Sequence, residues 1–251
     1  MEKAIYNFSK EIYKSKNDNN NKFDGFVYLP GNDYTRTTAS RFLHALSQAF
    51  GNAKTIQVQL LENLDKTLDY DELEPRNYSK YILSKLDPEG YYVFIGTSMG
   101  CLHIANFAHF YPSLVKSLIM IEPTIAQGDY KILKKFEDDR GNGEWLKRLK
   151  ERDEPQEKIP ANEKVIDIAV SRSRPYKFMS RIPIGVVCTT KNNMDIPYTK
   201  KQLESRVEYI RSLQKQGHKV YVKWFDTSHC IDTQSKFFKP LIIFIQQVIR
   251  F

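Results

Sequence analysis

A serine stands between two glycines in Gly96-Thr97-Ser98-Met99-Gly100, directly after the apolar run YYVFI. The G-x-S-x-G spacing has a steric meaning. A serine on a sharp turn from strand to helix sits in a strained conformation, and the chain can pass close by only if the residues two positions away carry no side chain. The chemistry on offer is nucleophilic attack, but a hydroxyl is almost fully protonated at neutral pH and needs a base. Five histidines are present. His44 falls on an amphipathic segment, His103 and His109 fall on the helix expected after Ser98 and point away from its tip, and His218 lies between a helix end and a strand. Those contexts read as structural or solvent-facing. His229, in WFDTSHCID, follows the last apolar run on a loop at its C-terminal end, where ligand sites of parallel sheets gather, and is the base this placement favours. The amide of Met99, immediately after the serine and at the positive end of a helix, is a donor for the negative charge that attack would create.

These side chains need a scaffold, and the hydrophobic pattern supplies one. Apolar runs rich in β-branched and aromatic residues recur at 25–30, 54–61, 91–96, 115–123, 182–190 and 219–225. Most are short and nearly continuous, as strands buried on both faces should be. Between them lie segments with helical spacing. TASRFLHALSQAF puts Phe42, Leu43, Leu46 and Phe50 on one stripe, and NYSKYILSKL does the same with Tyr81, Ile82 and Leu86. TKKQLESRVEYIRSLQKQGHK turns Leu203, Val207, Ile210 and Leu213 inward, with Gly217 placed to stop it. The closing SKFFKPLIIFIQQVIRF is strongly apolar, with Pro240 either near its start or splitting it. Strand and helix alternate, which predicts βαβ units and an α/β fold with a mostly parallel sheet. Residues 125–180 break the rhythm: charged, rich in helix formers and interrupted by Gly141, Gly143, Pro155 and Pro160, they read as a helical insertion within a single domain spanning 1–251. Ahead of the first strand, KAIYNF and EIYK suit a small hairpin, and KNDNNNK an exposed turn.

Together these features resemble the α/β-hydrolase family. The resemblance runs from Gly25 to Phe251: the GFVYLPGND loop, the GTSMG elbow followed by FAHFYPSLVKSLIMIEP, a helical insertion, the strand GVVCTT followed by an acid, and a late histidine. It implies an eight-stranded, mostly parallel sheet flanked by helices, with 125–180 as a cap or lid, and its catalytic histidine falls at His229. The third member of a triad is a carboxylate that fixes the histidine tautomer and stabilises the imidazolium. The family's chain order of Ser, Asp, His assigns this to Asp195, in CTTKNNMDIP. Glu122, at the end of LIMIEP, is the alternative, since some members carry the acid after that earlier strand. Asp226 and Asp232 flank His229 too closely in sequence to be first choices. A second oxyanion donor would come from the loop after GFVYLP, from the amide of Asn32 or of Gly31. His-Gly is common there in the family and this chain has Pro30-Gly31, but a backbone donor survives that change. The implied activity is that of a serine hydrolase of esterase, lipase or thioesterase type. It would act on a small-molecule carboxylic ester or thioester through an acyl-enzyme, with no metal or organic cofactor. A catalytically inactive scaffold, or a carbon–carbon hydrolase or acyltransferase on the same fold, are the alternatives.

Composition narrows the remaining classes. With 41% apolar and 13% aromatic residues, the chain reads as globular. The net charge of +8 comes from 38 basic residues interleaved with 30 acidic ones, which describes a solvated surface; with no nucleic-acid-binding signature beside it, no nucleic-acid partner is expected. Three cysteines, Cys101, Cys188 and Cys230, lack metal-ligand spacing and are odd in number, which points away from a disulfide framework or a zinc site and toward a reducing compartment. The N-terminus has no apolar leader and no run is long enough to span a bilayer, so a cytoplasmic protein without a membrane span is expected. Nothing in the sequence speaks to oligomeric state.

Overall fold

The computed structural model describes residues 22–31, 36–58, 74–123, 182–191, 195–228 and 231–250. Among them the apolar runs form six strands: β1 (Gly25–Leu29), β2 (Thr55–Gln57), β3 (Tyr92–Thr97), β4 (Val115–Ile121), β5 (Ile184–Thr189) and β6 (Val220–Phe225). They pair in the order β2-β1-β3-β4-β5-β6, every neighbour parallel. Five described helices join or cover them: α1 (Arg36–Ala49), α2 (Pro75–Leu83), α3 (Gly100–Phe110), α4 (Lys200–Lys215) and α5 (Phe238–Ile249). The α/β class and the parallel sheet expected from the sequence are present. The predicted insertion at 125–180, the hairpin before residue 16, the expected turn at 16–21 and residues 59–61 of the 54–61 run lie outside the described residues.

Alternation along each strand divides the core into two layers. Phe26, Tyr28, Val93, Ile95, Ile119 and Ile121 meet α1 and α5 on one face, through Phe42, Leu46, Leu241 and Ile245. Val27, Leu29, Phe94, Leu118, Met120 and Val186 meet α2, α3 and α4 on the other, through Ile82, Ile104, Phe107 and Ile210. Both faces are covered, so β1, β3 and β5 are buried from end to end. β6 departs from the expectation of two buried faces: as the last strand it leaves Val222 and Trp224 exposed, so its apolar run reflects β-propensity more than burial. Pro240 is the third residue of α5, where its missing N–H is one a helix start would leave unpaired anyway, and the helix continues without a break. Gly217, at φ +87°, ends α4 as its position suggested. Among the described residues no helix is long and apolar enough to cross a membrane.

Candidate active site

The sheet order creates the site. The chain goes from β1 outward to β2 on one side and then returns to lay β3 on the other. The connections leaving the C-terminal ends of β1 and β3 therefore part in opposite directions and open a crevice, the usual ligand position in open parallel sheets. Ser98 is the first residue beyond β3, and Pro30-Gly31 the first two beyond β1.

Ser98 takes φ +52°, the left-handed region that a non-glycine residue enters only at a cost. The turn is held from both sides. Its amide donates to the Ile121 carbonyl at 2.8 Å, and its own carbonyl accepts from the Cys101 amide at 3.0 Å as α3 begins. Both flanking glycines are needed for this path. A Cβ on Gly96 would lie 2.6 Å from the Gly100 carbonyl carbon, and one on Gly100 would collide with the Leu29 carbonyl and stand 2.8 Å from that of Pro30. Gly100 thus lets the start of α3, whose cap residue is Met99, rest against the end of β1. The Cys101 thiol, buried in the first turn of α3, donates to the Gly96 carbonyl at 3.0 Å; burial pushes its pKa well up, so it packs there as a neutral group.

The two candidate acids sit differently. Glu122 follows β4 at φ +49° and is buried. It accepts from the Thr189 amide through Oε1 and from Arg206 Nη2 through Oε2 at 3.0 Å. Arg206, from α4, is itself buried and lies over the Tyr198 ring at 3.8 Å. Burial, the largest single influence, pulls the guanidinium pKa down, but the Glu122 charge and hydrogen bond together with Tyr198 and Cys188 leave it raised. Asp195 follows β5 at φ +61° on a loop closed by a Lys191–Pro197 bridge and by the Tyr198 amide, which donates to the Thr190 carbonyl at 2.8 Å. Its side chain is 70% exposed and lies 3.6 Å from the Lys191 ammonium. The loop then enters α4 through a capping box in which the Thr199 and Gln202 side chains each accept the other's amide.

His229 and Asn32 lie outside the described residues, but the chain on either side of His229 is fixed. The Lys191 amide donates to the Thr227 carbonyl at 3.1 Å, Thr227 Oγ1 to Gln234 Oε1 at 3.1 Å, and Gln234 Nε2 to Ser228 Oγ at 3.0 Å. Asp232, fully buried on the short 3-10 turn Ile231–Thr233, accepts through Oδ2 from the Tyr28 hydroxyl at 2.5 Å and the Thr97 hydroxyl at 2.9 Å. Burial, and then the neighbouring Asp232, raise the Tyr28 phenol well above its ordinary pKa and keep it a donor. The structure therefore brings Ser98, Met99, Gly31 and Glu122 to one edge of the sheet, at the ends of β3, β1 and β4, and puts Asp195 beyond the end of β5. Tyr28, Thr97, Asp232 and Arg206 are the polar residues around this edge that sequence reasoning did not select. A tyrosine in the middle of a buried strand was the available signal, because its hydroxyl requires a partner.

Comparisons with known proteins agree with this architecture. A family model described as the alpha/beta hydrolase fold matches residues 29–148. No curated protein sequence matches the chain. Among solved structures it is similar to alpha/beta hydrolase domain-containing protein 10 from mouse, with a TM-score of 0.59 at 17% identity over 91% of this chain and 90% of that one. It is also similar to the RedJ thioesterase of the prodiginine pathway in Streptomyces coelicolor, with a TM-score of 0.57 at 14% identity over 89% of each chain. A hydrolase from Oleispira antarctica gives a TM-score of 0.53 at 13% identity over 90% and 92%. At these identities the structural likeness is one of fold. Joined to a sequence match that begins at the end of β1 and runs through the elbow, it gives the chain the α/β-hydrolase fold.

Proposed function

We propose that the chain is a serine hydrolase acting on a small-molecule carboxylic ester or thioester. Ser98 Oγ attacks the carbonyl carbon while His229 takes its proton. The bond to the leaving alcohol or thiol then breaks as His229 returns that proton, leaving the acyl group on Ser98. Asp195 orients the imidazole, and the amides of Met99 and Asn32 hold the oxyanion. A water molecule, deprotonated by His229, releases the acid and restores the serine. Residues 125–180 serve as the cap over the acyl pocket.

The observation that carries this reading is the left-handed φ of Ser98 at the sheet's switch point, fixed by the Ile121 carbonyl and by two glycines at which an added Cβ would press on neighbouring backbone. Strain of this kind persists only where the surroundings over-determine it, and it clusters at sites of function. Asp195 is favoured over Glu122 because both Glu122 oxygens already serve a buried ion pair and the Thr189 amide. Solved thioesterases among the similar folds support including thioesters in the substrate class.

A panel of p-nitrophenyl acyl esters and acyl thioesters of N-acetylcysteamine tests the proposal. Turnover of one class by the native chain, absent in Ser98→Ala, and an acyl adduct on Ser98 by mass spectrometry are the expected results. A folded native chain that turns over neither class, or a Ser98→Ala chain that retains turnover, contradicts it.

A further inference from the structure

We infer that Asp232 is a positioning residue for His229: its buried carboxylate, bound by the Tyr28 and Thr97 hydroxyls, pins the loop after β6 to the strand that delivers Ser98. The inference rests on the serine-hydrolase reading and extends it to residues that the triad does not include.

Three observations carry it. Asp232 has no exposed surface, and a carboxylate is removed from water only where donors replace its hydration. Here two hydroxyls, from the penultimate residue of β1 and the last residue of β3, converge on the single oxygen Oδ2. They also lie within 3.3 Å of each other, so the three side chains form one closed cluster. Second, the cluster touches both halves of the proposed proton-transfer pair. Thr97 is bonded directly to Ser98, and Asp232 stands three residues beyond His229. Third, the loop is bracketed a second time. Gln234 accepts from Thr227 and donates to Ser228, so the chain on the near side of His229 is tied to the turn on its far side. The Lys191 amide ties the near side of the loop to the chain after β5, and the Asp232 contacts, which reach 204 and 135 residues back along the chain, tie its far side to β1 and β3. Proton transfer demands a separation set to within a fraction of an ångström, and a misplacement of about 1 Å can cost roughly a hundredfold in rate.

The test follows the rate at which a fluorophosphonate labels Ser98 in the native chain and in Thr97→Val, Thr97→Ser, Tyr28→Phe and Asp232→Asn. Thermal melting confirms the fold of each. Thr97→Val keeps the side chain's shape and removes only the hydroxyl, so it remains informative if Asp232→Asn does not fold. The expected result is maximal labelling rates lowered at least about tenfold in Thr97→Val and Tyr28→Phe, with the probe concentration at half-saturation little changed. Thr97→Ser, which keeps the hydroxyl, should recover most of the rate. A role confined to stability predicts lower melting temperatures with native labelling rates. That outcome, in a native chain that labels, overturns the inference and leaves the serine reading standing. A folded native chain that does not label overturns the serine reading and this inference with it.

Discussion

The amide of Ser98 donates to the carbonyl of Ile121 at 2.8 Å, so the backbone of the proposed nucleophile is gripped by the neighbouring strand where the chain leaves β3. The pattern repeats one strand over: Glu122, the residue after Ile121, also takes a left-handed φ, and its amide donates to the Val187 carbonyl at 2.8 Å. Each strand end curls away from the sheet while its neighbour holds it. The direction of the Ser98 side chain is therefore a property of the sheet rather than of the local turn.

Gly100→Ala tests the steric half of that statement. The added carbon meets the Leu29 and Pro30 carbonyls, which are backbone and cannot swing aside. Urea unfolding should show a loss of about 1–3 kcal/mol, the usual cost of overpacking. Ester turnover should fall by more than the loss of folded protein explains, because α3 can relieve the clash only by moving the Met99 amide and Ser98 away from the end of β1.

The two acids should separate cleanly. Asp195→Asn is expected to lower kcat by about two to four orders of magnitude with little change in urea stability, since the side chain is largely exposed. Glu122→Gln should behave in the opposite way. It breaks a buried pair with Arg206 and leaves that charge uncompensated, a loss of about 3–5 kcal/mol in comparable cases. Chemical denaturation and steady-state kinetics on both variants check the ranking, and a reversed ranking reassigns the acid to Glu122.

His103 gives the chain an acid-sensitive core. Its ring is buried in α3 against Tyr78 at 4.7 Å between centroids, neither nitrogen has a hydrogen-bond partner among the described residues, and burial lowers its pKa from 6.5 to about 3. In the folded chain it stays neutral down to about pH 3, whereas in the unfolded chain it takes up a proton below pH 6.5. Its contribution to stability is complete above pH 6.5 and is lost as pH falls through the interval to about 3, by up to about 1.4 kcal/mol per unit. His103→Leu should flatten the pH dependence of unfolding in that interval without loss of stability at pH 7. A variant whose pH dependence matches the native chain's contradicts this.

How much of this was legible depended on how local each determinant is. β1, β3, β4 and β5 announced themselves because continuous apolar runs have one use in a parallel sheet, burial on both faces. β6 carries the same composition at an edge, so its exposure could not be read from its residues. The elbow was legible because its steric demand falls on two glycines only two positions from the serine in sequence. The Asp232 cluster was not: Asp232 looked like a loop acid too close to His229, and its partners Thr97 and Tyr28 lie in other strands. Glu122 was visible as a possible acid, while the Arg206 that claims it lies 84 residues later on a helix whose facing residues were chosen for their apolar character.

The central claim is that the strained serine is a nucleophile activated by a histidine far along the chain, and fluorophosphonate labelling with peptide mapping addresses it most directly. The account expects a stoichiometric label on Ser98 in the native chain, none in Ser98→Ala, and labelling slowed by at least about a hundredfold in His229→Ala. A well-folded native chain that stays unlabelled, or His229→Ala labelling at the native rate, would contradict it.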